Sequence, residues 1–106
     1  MELSKSERKK LRDLTGEIYE TEIDRLLGDL HVQFERWQKK EILGSELQRE
    51  IHAFDQHQFR ELWSMYNNVT ESMLVARGVA LGLIDAAKVP PELLAKLDVG
   101  YWQEEK

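Results

Sequence analysis

The sequence predicts an all-α fold: a small bundle of about four helices, with a long N-terminal helix and a short C-terminal docking helix. Three observations predict it. Apolar residues recur at intervals of three and four along most of the chain. The prolines are Pro90 and Pro91, so none interrupts a helix before residue 90. No segment alternates β-branched with polar residues as a half-buried strand would. The balance of 42% hydrophobic and 33% charged residues is too apolar for disorder and suits helices with one wet face. With 106 residues the chain is expected to form a single domain over 1–106, with residues 1–4 and 99–106 frayed.

Taken in order, Ser4 and Glu7 have the S-x-x-E spacing of a capping box, in which each side chain satisfies a backbone N–H orphaned at a helix start. From Lys5, the residues Leu11, Leu14 and Ile18, then Ile23, Leu26, Leu27, Leu30, Phe34 and Trp37, keep helical spacing to about Lys40. At 100° per residue the first three lie about 100° from the later set, which implies two different packing partners. An unbroken helix of this length would run about 54 Å. Either it breaks near Gly16 or Gly28, or it projects and pairs with a second copy along Ile23, Leu30 and Trp37.

Glu41 to Gly44 reads as a turn. Ser45 with Gln48 repeats the capping spacing ahead of Leu47, Ile51, Phe54, Leu62, Met65 and Tyr66. Four polar residues, Asp55 to Gln58, stand inside this second helix, and Phe59 and Trp63 resume on a shifted face, so a kink or a break fits there. Asn67-Asn68 is a stop signal, and a third, mostly apolar helix starts near Thr70. Gly78 and Gly82 give it a small-residue face, read here as tight packing within one chain. Pro90-Pro91-Glu92 opens a short docking helix carrying Leu93, Leu94 and Leu97, and Tyr101 and Trp102 are anchors for the tail.

The segment from Phe34 to Tyr66, with Trp37, Glu41, Ile42, Glu46, Leu47, Ile51-His52, Phe54 and Arg60-Glu61-Leu62, resembles a group of small, uncharacterised bacterial all-helical proteins. The resemblance covers roughly a third of the chain. It implies a bacterial origin and brings no activity or ligand with it.

Charge and motifs narrow the function classes. The net charge of -5 repels nucleic acid and anionic lipid. Residues 1–12 are the exception: five basic residues against Glu2 and Glu7 give +3 there and -8 over the rest. Arg8, Lys9 and Arg12 are therefore the candidate phosphate contacts, although no helix-turn-helix pattern accompanies them and nucleic acid is disfavoured as a partner. His52, Asp55 and His57 are the candidate metal ligands, with His31 and Glu35 as a further pair. His57 sits about 140° from His52 on an α-helix, and no histidine follows a glutamate at the di-iron E-x-x-H spacing, so no metal is expected.

Cysteine is absent, and no nucleophile elbow or phosphate loop occurs. No catalytic or cofactor-binding residue is assigned, no cofactor is expected, and an enzymatic role is disfavoured. The charged N-terminus lacks a signal peptide's apolar core, and no apolar run reaches the ~20 residues that cross a bilayer, so a cytoplasmic protein without a membrane span is expected. The leading reading is a small interaction, regulatory or assembly module. It forms a homodimer or binds another protein through Ile23, Leu30, Phe34 and Trp37.

Overall fold

The structure, a computed structural model, describes residues 2–104; the expected fraying of Met1, Glu105 and Lys106 lies outside them. The fold is all-α, and no strand occurs among the described residues. The elements are α1 (Lys5–Gln38), α2 (Gly44–Ala53), a π-helical turn (Phe54–Phe59), α3 (Arg60–Asn68), α4 (Glu71–Ala80), a 3₁₀ turn (Ala86–Lys88), α5 (Pro91–Leu94) and α6 (Val99–Glu104). None of these helices is long and apolar enough to cross a membrane.

Helix α1 opens on the expected capping box: the Glu7 N–H donates to Ser4 Oγ at 3.1 Å, and the Ser4 N–H donates to Glu7 Oε1 at 2.9 Å. It then runs unbroken through Gly16 and Gly28 for 34 residues, about 51 Å. Its end is a left-handed cap on a residue other than glycine. Lys40 has φ 63°, its N–H donates to the Trp37 carbonyl, and the Glu41 N–H donates to the Arg36 carbonyl at 2.8 Å.

Helix α2 starts one residue before the expected Ser45 cap. Leu43 is extended, and its N–H donates to Glu46 Oε1 at 3.1 Å, so Glu46 fills the N3 role of the capping box that Gln48 was expected to fill. No break follows at Asp55. Along an α-helix, Leu47 to Phe54 is seven residues and returns to the same face, whereas Phe54 to Leu62 is eight and overshoots by about 80°. The π-turn takes up the extra residue, and Leu47, Phe54 and Leu62 are all buried.

Thr70 caps α4 through the Met73 N–H. The two glycines of the small-residue face have different uses. At Gly78 an added β-carbon would lie 2.6 Å from Ile18 Cδ1, so this glycine lets α1 and α4 approach closely. Gly82, at φ 72°, closes α4: the Leu83 N–H donates to the Gly78 carbonyl at 2.8 Å and the Gly82 N–H to the Val79 carbonyl at 3.2 Å.

The chain groups into two compact units, one comprising residues up to Thr21 together with those from Asn68 onward, the other Glu22–Asn67. This matches the shift in the α1 stripe. Leu11, Leu14 and Ile18 are buried in the first unit with Leu74, Val75 and Ala76 of α4, followed by Leu83, Ile84, Val89 and Leu93. Lys96 ties that unit's chain ends together: its Nζ donates to Glu7 Oε1 at 2.9 Å and to the Glu2 carbonyl at 3.1 Å.

Candidate interaction surface

The second unit is a helical hairpin. Chain reversal at Lys40 and Ile42 sends α2, the π-turn and α3 back along residues 22–38 of α1. At one end the Trp37 indole lies beside Gly44; at the other the Tyr66 hydroxyl donates to Glu22 Oε1 at 2.5 Å. Between them Glu22 and Leu26 of α1 line a cleft of about 210 Å³ with Gln58, Glu61, Leu62 and Met65.

Two helices cannot enclose much. Among the described residues, of the fifteen buried hydrophobic ones only Ile42, Leu47, Phe54 and Leu62 belong to the hairpin. Of the ten large hydrophobic residues that stand exposed among the described residues, seven belong to it: Leu27, Val32, Phe34, Trp37, Leu43, Ile51 and Trp63. Leu43 is 68% exposed and Trp63 60%. Scattered single apolar residues are ordinary on a surface, but here seven large ones fall within the 46 residues of one unit.

The four residues singled out from the sequence as partner-binding lie on α1 in this unit. Phe34 and Trp37 are 37% and 44% exposed, while Ile23 and Leu30 are half-buried. Leu30 is thus shared between the hairpin's interior and its surface and is not a fully enclosed core residue. Trp63 and Ile51, exposed on the return arm, were not among the residues singled out from the sequence as partner-binding.

The other candidates are placed as follows. His52 on α2 and Asp55 and His57 on the π-turn are all exposed, and among the described residues no group of three or more histidines and carboxylates could hold a metal ion. His31 Nε2 lies 3.3 Å from Glu35 Oε1, one turn away on α1. Of the basic N-terminal residues, Arg8 donates to the Leu3 carbonyl at 3.2 Å, Lys9 pairs with Asp13 at 3.2 Å, and Arg12 is exposed.

Compared with known protein families, curated proteins and solved structures, the chain matches none. Function is therefore argued from the chain's own geometry.

One perturbed group stands apart from the hairpin. The Glu7 carboxyl is held below its ordinary value of about 4.5, first by the Ser4 N–H and then by the Lys96 ammonium, both of which hydrogen-bond the charged form. The first unit also has an open apolar groove of about 310 Å³ between α4 and α6, lined by Met73, Ala76, Leu97, Tyr101 and Trp102 with Ser72, Lys96 and Asp98 at its polar edge. The Asp98 carboxylate is already engaged, accepting the Tyr101 N–H as the cap of α6.

Proposed function

We propose that this protein is a cytoplasmic interaction module, a regulator or assembly subunit that works by docking the apolar face of its Glu22–Asn67 hairpin against another polypeptide. One observation carries the reading: among the described residues, seven of the ten exposed large hydrophobic ones belong to the unit that buries four. Ile23, Leu30, Phe34 and Trp37 form the α1 side of the docking face, and the covering chain is a second copy or an unlike protein. Burying a fully exposed residue of this size contributes about 1.5 to 3 kcal/mol, so most of the seven must be covered together to offset association costs and leave a micromolar complex.

Photo-cross-linking in cells of the source organism tests this. A photoreactive residue at position 27 should give a discrete higher-mass adduct, and the same residue at Arg12, on the other unit's exposed surface, should not. No adduct from position 27 at the native expression level would overturn the reading.

A further inference from the structure

We propose that the groove between α4 and α6 binds a small organic ammonium ion, a primary amine on an apolar body, held by the Asp98 carboxylate and the Tyr101 and Trp102 rings. The groove lies wholly in the first unit and is independent of docking by the hairpin.

Its size and lining are those of a small-molecule site. The volume of about 310 Å³ falls at the lower end of the roughly 300–1,000 Å³ that such sites occupy. The first unit has three exposed large hydrophobic residues among those described, and two of them, Met73 and Tyr101, line this groove. The unit's accessible apolar surface is therefore gathered at one concave place.

The rings specify the sign of the charge. Tyr101 and Trp102 stand with centroids 5.1 Å apart and planes at 88°. Two rings at a right angle form a corner, and the negative potential of an aromatic face attracts a cation, most strongly at tryptophan. An anion against the same faces is repelled.

The charged groups agree. Lys96 lines the groove, but its ammonium is committed elsewhere: Nζ donates to Glu7 Oε1 at 2.9 Å and to the Glu2 carbonyl at 3.1 Å. Glu7 thus offsets the lysine charge, and the net charge left at the groove is that of Asp98. Asp98 Oδ1 accepts the Tyr101 N–H at 3.2 Å, while Oδ2 accepts from no described residue. A carboxylate oxygen with lone pairs to spare makes its strongest hydrogen bond to a charged N–H donor. A primary amine, charged at neutral pH like a lysine side chain, supplies both the donor and the positive charge. Its apolar body then covers Met73 and Tyr101.

NMR of the full chain tests this with 2-phenylethylamine, set against 3-phenylpropanoate and 2-phenylethanol as anionic and neutral relatives of similar size. The amine should shift the Trp102 indole N–H and the Met73 and Tyr101 amides saturably, leaving the Trp37 and Trp63 indoles in place. Both relatives should bind at least about fivefold more weakly, the upper range for an ion pair open to solvent. Asparagine caps a helix as well as aspartate does, so Asp98→Asn keeps α6 and removes the charge. It should weaken the amine by the same factor and leave the alcohol unchanged. Raising salt to about 1 M, where charges are screened beyond about 3 Å, should also weaken the amine alone.

No saturable shift at the groove by about 10 mM amine, tenfold above the dissociation constant of a weak millimolar complex, overturns the proposal. Equal affinity for the amine and either relative overturns it too, since the groove is then a general apolar cleft. An Asp98→Asn protein that folds and binds the amine unchanged has the same force. Should that variant not fold, the salt series on the parent decides: amine affinity that does not fall with salt excludes the ammonium site.

Discussion

Gly78 shows how little room one residue has at the closest point between α1 and α4. Replacing it with alanine adds helix propensity worth about 1 kcal/mol. The new methyl group, however, meets three carbons of a completely buried Ile18, the nearest at 2.6 Å. Overpacking of this kind costs about 1 to 3 kcal/mol, and a close-packed interior cannot move Ile18 aside freely. Gly78→Ala should therefore lower the thermal midpoint despite the propensity gain. Adding Ile18→Val, which removes the nearest carbon, should recover part of the loss; an unchanged or raised midpoint in Gly78→Ala would contradict the packing described here.

Glu7 belongs to the same scale. Its folded-state pKa is depressed by Ser4 and Lys96, so its contribution to stability is fully present above its ordinary value of about 4.5 and is lost as pH falls from there through the lowered folded-state value. In urea titrations, Glu7→Gln should be less stable than the parent near neutral pH, and the gap should close as the pH falls below about 4.5. A gap that stays constant down to pH ~3 would show that the Lys96 and Ser4 contacts do not discriminate between the charged and neutral carboxyl.

Among the elements, the π-turn makes the most distinctive demand. It exists to return Leu62 to the face of Leu47 and Phe54 across a spacing one residue too long. Deleting Gln56, exposed on that turn, should convert it to regular α-helix with all three buried residues in register, and stability should change by no more than about 1 kcal/mol. Deleting Ser64 instead rotates Met65 and Tyr66 by about 100° away from Leu62 and should cost several kcal/mol, since it removes the Tyr66 to Glu22 bond and the packing beside it. Comparable thermal midpoints for the two deletions would refute this account of the turn.

The elements also show what was legible beforehand. Ser4 with Glu7, Thr70, the Asn67-Asn68 stop and Pro91 at the start of α5 are local chemistry, and a reader of the sequence meets them within four residues of where they act. The change of stripe along α1 was equally readable, because helical angles accumulate from sequence alone. The Lys96 contacts with Glu2 and Glu7 were not, since they join residues about ninety apart and no spacing rule reaches that far. The surface was half legible: Phe34 and Trp37 follow from periodicity, but Trp63 and Ile51, exposed on the return arm, were not singled out, since contacts across the hairpin decide which side of that arm is covered.

At the scale of the whole molecule the two units differ in how well they are filled. Among the described residues the first encloses eleven of the buried hydrophobic ones, the second four. Local opening costs least where few apolar contacts must be broken. Amide hydrogen exchange at low protein concentration, where no second chain protects the hairpin, should therefore show larger opening free energies in α4 than in α2 and α3. Equal protection in the two would mean that the hairpin is sealed by something other than its own side chains.

The discontinuity of the first unit has a kinetic consequence. Its parts come from the two ends of the chain, joined by contacts such as Lys96 to Glu7 and Gly78 to Ile18, whereas the hairpin is assembled from one uninterrupted stretch. Closing a long loop costs entropy before any contact repays it, so contacts near in sequence form early and distant ones late. On a ribosome the hairpin is complete while the later half of the first unit has yet to be made. The newborn chain therefore carries its apolar face into solution before its main core can close, and in that interval pairing between neighbouring nascent chains competes with solitary folding.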